Sequence, residues 1–172
     1  MEQTEGEIRL YVACLASYNS GILHGAWIDA TQSVEAIRDQ IATMLNASQI
    51  VDAEEYAIHD YEGFEGVPIF EPQSIESVVE TAAFIEEHGA LGGKLISYFG
   101  DLNEAREAMS DRYVGQYTSL EDFARELTEE TTDIPQNLAV YIDYERMARD
   151  LEISDVLSIK TGFEQVHVFW SC

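Results

Sequence analysis

Aspartate and glutamate are the residues of this sequence whose number and spacing could support a catalytic or binding role. The segment EEYAIHDYEGFEG, residues 54–66, contains five acids and neither lysine nor arginine. The 55 residues between Arg38 and Lys94 contain twelve acids and no fixed positive charge. The whole chain of 172 residues has 33 acids and nine bases, which gives a formal net charge of −24. Such a surplus could serve acid–base catalysis, cation binding or recognition of a basic partner.

Catalysis and metal binding have little specific support in the sequence. With 33 acids, pairs of neighbouring carboxylates are inevitable and do not by themselves indicate a hydrolase site. The segment DYEGFEG lacks the ligand spacing of a calcium loop. Nucleophile motifs such as GxSxG and the phosphate-binding GxxxxGK[ST] are absent. We therefore predict no catalytic residue, no metal and no cofactor. The four histidines are scattered without metal-ligand spacing: His24, His59, His88 and His167.

The sign of the charge narrows the class of partner. Phosphate backbones recruit lysine and arginine, so direct binding to nucleic acid is disfavoured, as is binding to an anionic membrane. No apolar run is long enough to span a bilayer, and the acidic N-terminus does not resemble a secretory signal. We expect a cytoplasmic protein with a basic partner. Two simpler interpretations of the acids stay open: solvation of an ordinary surface, and adaptation to a salty cytoplasm.

The amount of charge suggests a geometric interpretation. Duplex DNA carries one negative charge per ~1.7 Å of its axis. A net charge of −24 therefore replaces the charge of about 41 Å of duplex, or roughly 12 base pairs, and a symmetric dimer would replace about twice that. A cationic groove that accepts DNA could accept these carboxylates instead, and the binding should weaken with salt.

Short helices and strands must position the acids. The sequence of the N-terminal third predicts an α+β unit. Alternating apolar residues indicate strands at residues 8–14, 26–29 and 55–61. An apolar stripe at helical spacing predicts a helix over residues 31–48, capped by Thr31 or Ser33.

Residues 67–110 are predicted to form a helical section, in which Pro68 and Pro72 mark a break before the first helix. One helix covers residues 74–89 and ends at Gly89. A second begins at the capping residue Asp101.

The last section predicts two further helices and a closing strand. Ser119 resembles the cap of a helix over residues 119–130. A single helix is predicted over residues 137–154, with Tyr141, Tyr144, Ala148 and Leu151 on one side. The closing strand covers residues 163–170, and Val166, Val168 and Trp170 are expected to face away from Gln165, His167 and Phe169. The predicted domains are residues 1–66, 67–110 and 111–172, an α+β chain of three small domains.

Three separated segments resemble one protein family. YVACLASYNSGILHGAWID (residues 11–29), EEYAIHDYEGF (54–64) and YIDYERMARDLE (141–152) are similar to the ArdA antirestriction proteins of mobile genetic elements. The resemblance extends from about Ile8 to Trp170. It implies an elongated, curved homodimer that mimics bent B-form DNA and occupies the DNA-binding groove formed by the specificity and modification subunits of type I restriction–modification enzymes. It also implies a protein without catalytic residues or cofactor.

The resemblance and the charge together select the candidate site residues. The segment SLEDFARELTEE resembles the antirestriction motif of the family. Its apolar residues are expected to form a buried stripe or part of a dimer interface: Leu120, Phe123, Ala124 and Leu127. The DNA-mimicking carboxylates are predicted to be Asp52, Glu54, Glu55, Asp60, Glu62, Glu65, Glu71, Glu76, Glu80, Glu86, Glu87, Asp101, Glu104, Glu107, Asp111, Glu121, Asp122, Glu126, Glu129 and Glu130. The alternative hypothesis is an acidic adaptor that binds a basic nucleoid or chromatin-like protein; an enzyme ranks third.

Overall fold

The chain is described by a computed structural model that covers residues 7–171. It divides into two compact units, one up to Gly93 and one from Lys94 onward. Within residues 7–171 there are seven α-helices, one π-helical turn and two three-stranded antiparallel sheets, so the predicted α+β class is confirmed. The division into three domains stays a prediction. None of the helices in the described part of the chain is long and apolar enough to cross a bilayer.

The first sheet has the order β2-β1-β3, with strands β1 (Arg9–Cys14), β2 (Gly25–Asp29) and β3 (Tyr56–Glu62). All three confirm the predicted strands. A short helix, α1 (Leu15–Asn19), follows β1 directly and was not predicted. Ile8, Leu10 and Val12 are buried as their alternation predicts. Cys14 is a buried free thiol, whereas Cys172 lies outside the described residues.

Helix α2 (Val34–Asn46) covers this sheet on its apolar side, with Ile37, Ile41 and Met44 buried. The side-chain oxygen of Ser33 accepts a hydrogen bond from the backbone N–H of Ala36 at 3.1 Å, so Ser33 is the cap. Thr31, the other predicted cap, instead donates to the carboxylate of Asp29.

Residues 63–74 form turns and irregular backbone, so the break predicted at Pro68 and Pro72 is confirmed. Proline favours such a break, since it lacks the N–H that a helix interior needs. Helix α3 (Ile75–Phe99) follows. Its backbone breaks at the predicted stop, Gly89, where φ is 60° and ψ is −140°, and helical geometry then resumes. Only glycine adopts these angles without strain.

The second unit contains the end of α3 and the remaining elements. Asp101 caps α4 as predicted, since its carboxylate accepts from the N–H of Glu104 at 3.0 Å. Ser119 likewise caps α5, accepting from the N–H of Asp122 at 3.1 Å. The elements are α4 (Leu102–Glu107), the π-helical turn (Ala108–Arg112), β4 (Tyr113–Tyr117), α5 (Leu120–Thr131), α6 (Gln136–Ala139), α7 (Tyr144–Ser154), β5 (Val156–Gly162) and β6 (Gln165–Trp170).

Three predictions for this unit need correction. The helix predicted over residues 137–154 is two helices, because Asp143 caps α7 by accepting from the N–H of Arg146 at 3.0 Å. Strands β4 and β5, which flank β6 in the order β4-β6-β5, were not predicted. The faces of β6 are not simply apolar and polar: Phe169 is buried and Trp170 is partly exposed.

The core of the second unit explains these faces. Phe123, Val156 and Val168 form one cluster between α5 and the sheet, and Ala124, Tyr144 and Ala148 form a second between α5 and α7. Phe169 points to the other face of the sheet, where the ring of Tyr113 lies 5.0 Å from its own. Both faces of β6 therefore bury apolar side chains, and a simple alternation fails.

Candidate protein-binding surface

The acidic side chains are almost all on the surface. Every aspartate and glutamate among residues 7–171 is exposed except Glu62, Glu121 and Asp122, which are half-buried. None is buried in that range. The predicted carboxylates are thus accessible in each unit, which is a requirement for contact with a partner but also the ordinary state of charged residues.

Helical periodicity places four of these acids on α3. Ile75, Val78, Ala82 and Ile85 are buried, and exposed positions between and directly after them carry Glu76, Glu80, Glu86 and Glu87. Glu76, Glu80 and Glu87 are separated by four and then seven residues, so they share one side of the helix. Glu76 and Glu80 are consequently about 6 Å apart along the helix axis.

Acids around β3 lie in the loop before it, on the strand and in the turns after it. Asp60 and Glu62 are two residues apart on this edge strand, opposite Tyr11 and Arg9 of β1, so both occupy the same face of the sheet. Asp52 and Glu65 have positive φ angles of 62° and 51° in the flanking turns. The other acids of these turns are exposed: Glu54, Glu55 and Glu71.

In the second unit, acids lie on α4, the π-helical turn and α5. Asp101, Glu104, Glu107 and Asp111 are exposed in the first two. On α5, Glu126 and Glu130 are four residues apart and so lie on one side of the helix. Burial raises the pKa of Tyr117, and the negative charges of Glu126 and Glu130 raise this pKa further. Glu129 is exposed beside them.

Some predicted carboxylates are already paired with arginine inside the protomer. Arg9 binds Glu62 at 2.7 Å and Arg38 binds Glu76. Arg125 lies 3.7 Å from Glu121 and 3.8 Å from Asp122. Sequence reasoning missed the first two pairs because their partners are far apart in the chain, whereas Glu121 and Arg125 have helical i,i+4 spacing. Glu62, Glu76, Glu121 and Asp122 are therefore already paired with arginine.

Metal binding requires several ligands that converge on one point. Among residues 7–171, no three histidine, cysteine, aspartate or glutamate side chains are grouped closely enough to hold a metal ion.

The profile of the ArdA antirestriction proteins matches residues 10–165. The chain belongs to the ArdA family. The resemblance predicted from three sequence segments is confirmed over most of the chain. No curated protein matches the sequence. Membership in ArdA gives the chain an antirestriction function and suggests restriction–modification enzymes as the class of partner.

The segment that resembles the ArdA antirestriction motif forms α5, and its apolar residues belong to the protomer core. Phe123 and Ala124 are buried within a single copy, and Leu120 and Leu127 are half-buried against the same clusters. Phe123 and Ala124 therefore have no surface to offer a partner. Their position favours a structural role, in which they hold the acidic side of α5 on the second sheet.

Exposed apolar side chains around α6 were missed. Tyr141 was predicted to share one side of a long helix with Tyr144 and Ala148, yet it is 80% exposed whereas those two residues are buried. Its neighbour Val140 is 81% exposed. Leu138 is also exposed. Pro135 before α6 and the capping residue Asp143 were the signals in the sequence that could have located this surface segment.

Proposed function

We propose that this ArdA protein is a non-catalytic inhibitor that mimics B-form DNA and blocks the DNA-binding groove of type I restriction–modification enzymes in the bacterial cytoplasm. The observation that carries the proposal is the exposed, largely unpaired set of carboxylates in a chain that belongs to an antirestriction family. Such carboxylates can take the place of phosphates, which position a protein on DNA without carrying sequence information.

Both units contribute to the charge. Residues 1–93 contain 17 acids and two bases, a net charge of −15, and residues 94–172 contain 16 acids and seven bases, a net charge of −9. A groove that neutralises phosphates would release counterions from either ligand, so inhibition should weaken as salt increases. Each single exposed ion pair contributes little, about 0–1 kcal/mol. Function is therefore distributed, and no single carboxylate is expected to be essential.

Competition is the direct test. A type I enzyme is bound to a fluorescent duplex that contains its recognition site, and the full-length chain is added at several salt concentrations. We expect displacement of the duplex and loss of cleavage, both weakening with salt, while polyglutamate of equal net charge displaces far less. Absence of displacement at low salt would refute the proposal. Tight binding to a basic nucleoid protein without competition would instead support the acidic-adaptor hypothesis.

We also propose a homodimer, with the exposed apolar side chains of Leu138, Val140 and Tyr141 in its interface. Exposed apolar side chains close together on a monomer are typical of protein–protein contact. A dimer would double the charge presented to the enzyme, to the equivalent of roughly 24 base pairs.

A further inference from the structure

An open cleft in the first unit contains more than carboxylates. It has a volume of about 540 Å³ and lies between the end of α1, strand β3 and the irregular segment before α3. It is lined by Tyr18, Ile58, His59, Tyr61, Ile69 and Glu71. Aromatic rings and a carboxylate around an apolar floor form a different kind of surface from the exposed helix faces that carry most of the acids.

A β-bulge in the edge strand gives the cleft its shape. In the pairing of β1 with β3, Tyr11 is opposite Asp60 and the next residue, Val12, is opposite Ile58. His59 is therefore an extra residue without a partner on β1. Bulges bend an edge strand and re-aim its side chains. The ring of His59 meets the ring of Tyr18 edge-to-face, with centroids 4.8 Å apart and planes at 79°.

The lining favours a cation with a flat, weakly hydrated head. Ile58 and Ile69 are buried and form the floor, whereas Tyr18 is 54% exposed and offers its ring to solvent. The carboxylate of Glu71 lies 3.9 Å from Nε2 of His59 at the rim. Among the described residues, those that line the cleft include no lysine or arginine. Aromatic faces attract cations, and a carboxylate adds a hydrogen-bond acceptor for their N–H groups.

We infer that this cleft binds an arginine side chain of the protein partner. The guanidinium group would stack on Tyr18 or Tyr61 and donate hydrogen bonds to Glu71. Arginine fits better than lysine, because its planar head stacks on aromatic rings and is more weakly hydrated than an ammonium group. The inference rests on the proposed function in one respect: a groove that binds DNA phosphates is rich in arginine. The inference adds a contact that the partner would not make with duplex DNA.

The cleft can be tested without any restriction enzyme. N-acetyl-arginine amide and N-acetyl-lysine amide are titrated into the full-length protein, and the ring resonances of Tyr18, His59 and Tyr61 are followed by NMR. We expect saturable shifts at these rings with the arginine compound and at least about threefold weaker binding of the lysine compound. Shifts that do not saturate, or that are equal for both compounds, would overturn the inference.

Matched variants distinguish binding in the cleft from general attraction by the negative charge of the chain. Tyr18→Leu keeps apolar bulk but removes the ring, and Glu71→Gln keeps shape but removes the charge. Each should weaken binding of the arginine compound about fivefold. Tyr98→Leu and Glu129→Gln, at exposed positions in the second unit, should leave it unchanged. Far-ultraviolet circular dichroism verifies that Tyr18→Leu remains folded. An unchanged affinity in folded Tyr18→Leu would refute the inference.

The two proposals can fail separately. If the arginine compound does not bind but the chain still displaces DNA from a type I enzyme, only the cleft inference fails. If the compound binds as expected but no DNA is displaced, the cleft inference holds and the proposed inhibition fails. If both hold, Tyr18→Leu should also raise the half-inhibitory concentration, and Tyr98→Leu should not.

Discussion

Arg9 donates hydrogen bonds from Nε and Nη2 to the same carboxylate oxygen of Glu62, at 2.9 and 2.7 Å. The two residues face each other across the pairing of β1 with β3, and the guanidinium also lies over the ring of Trp27, 4.9 Å from its centroid. The charge of Glu62 is therefore balanced inside the protomer, and the ion pair connects the edge strand β3 to β1. The predicted carboxylates are consequently of two kinds, those with an arginine partner and those without one.

The two kinds can be compared with equal changes in charge. Neutralising Glu54, Glu55, Glu129 and Glu130, which have no cation partner among residues 7–171, should raise the half-inhibitory concentration more than neutralising Glu62, Glu76, Glu121 and Asp122. Both variants change the net charge by four units, so the long-range attraction falls equally. The difference measures direct contacts with the enzyme, because a carboxylate that already has a partner must first give it up.

Stability should respond in the opposite order. The variant that lacks the paired acids should lose about 0.2–1 kcal/mol per broken ion pair in the free energy of unfolding, measured by urea titration. The variant that lacks the unpaired acids should lose no stability, since self-repulsion falls. Equal inhibition by the two variants would mean that only net charge matters, and the proposed positional mimicry would then be wrong.

The acidic side of α5 can be monitored through Tyr117. Its pKa is raised by burial and further by Glu126 and Glu130, so the double variant Glu126→Gln/Glu130→Gln should lower this pKa, measured by NMR of labelled tyrosine. Because the folded state holds this proton more tightly than the unfolded state, the resulting stabilisation is present below the unfolded value of about pH 10 and is lost as pH rises above it. The control Glu104→Gln/Glu107→Gln should leave the pKa of Tyr117 unchanged; an unchanged pKa in the α5 variant would contradict the placement of these charges.

Phe123 should matter for folding and not for contact. Its ring is buried 5.2 Å from Tyr117 and 6.0 Å from Trp170, measured between centroids. Phe123→Ala should lower the free energy of unfolding by about 3–5 kcal/mol, because it leaves a cavity in the core. Inhibition should then fall in proportion to the unfolded fraction. Phe163→Ala, at an 87% exposed position between β5 and β6, is the control and should change stability little. A fully stable Phe123→Ala that had lost inhibition would assign the ring a role in contact.

The apolar segment around α6 predicts the dimer interface. Val140→Asp should convert the proposed dimer into a monomer, as measured by light scattering after size-exclusion chromatography, because a buried unpaired carboxylate is costly. Val51→Asp changes a similarly exposed valine of the first unit and should leave the dimer intact. A monomeric wild-type protein, or a dimer that tolerates Val140→Asp, would contradict this interface.

Local signals predicted the elements that depend on neighbours in sequence. Ser33, Asp101 and Ser119 were identified as caps because a cap bonds to N–H groups two or three residues away. The break at Gly89 was likewise predicted from one residue type, although the helical backbone resumes beyond it. Strands β4 and β5 were missed because their half-buried residues become recognisable only when both pair with β6.

The candidate surface likewise has features that the sequence predicted and features that only the structure shows. Exposure of the acids on α3 follows from helical spacing, so the sequence predicted it correctly. The pairing of Arg38 with Glu76 depends on which elements pack together, and no periodicity contains that information. The cleft around His59 depends on a bulge, which is set by the register of two strands.

Charge, composition and motif order by themselves determined that this chain has a large excess of acidic residues and belongs to the ArdA family, since these are properties of the residues present. Tertiary structure decided which carboxylates pair with arginine inside the protomer, which apolar residues of the antirestriction motif are buried, and where aromatic rings meet an acid. The physical reason is that ion pairs, burial and ring contacts join residues far apart in sequence, and only strand register and packing bring them within a few ångströms.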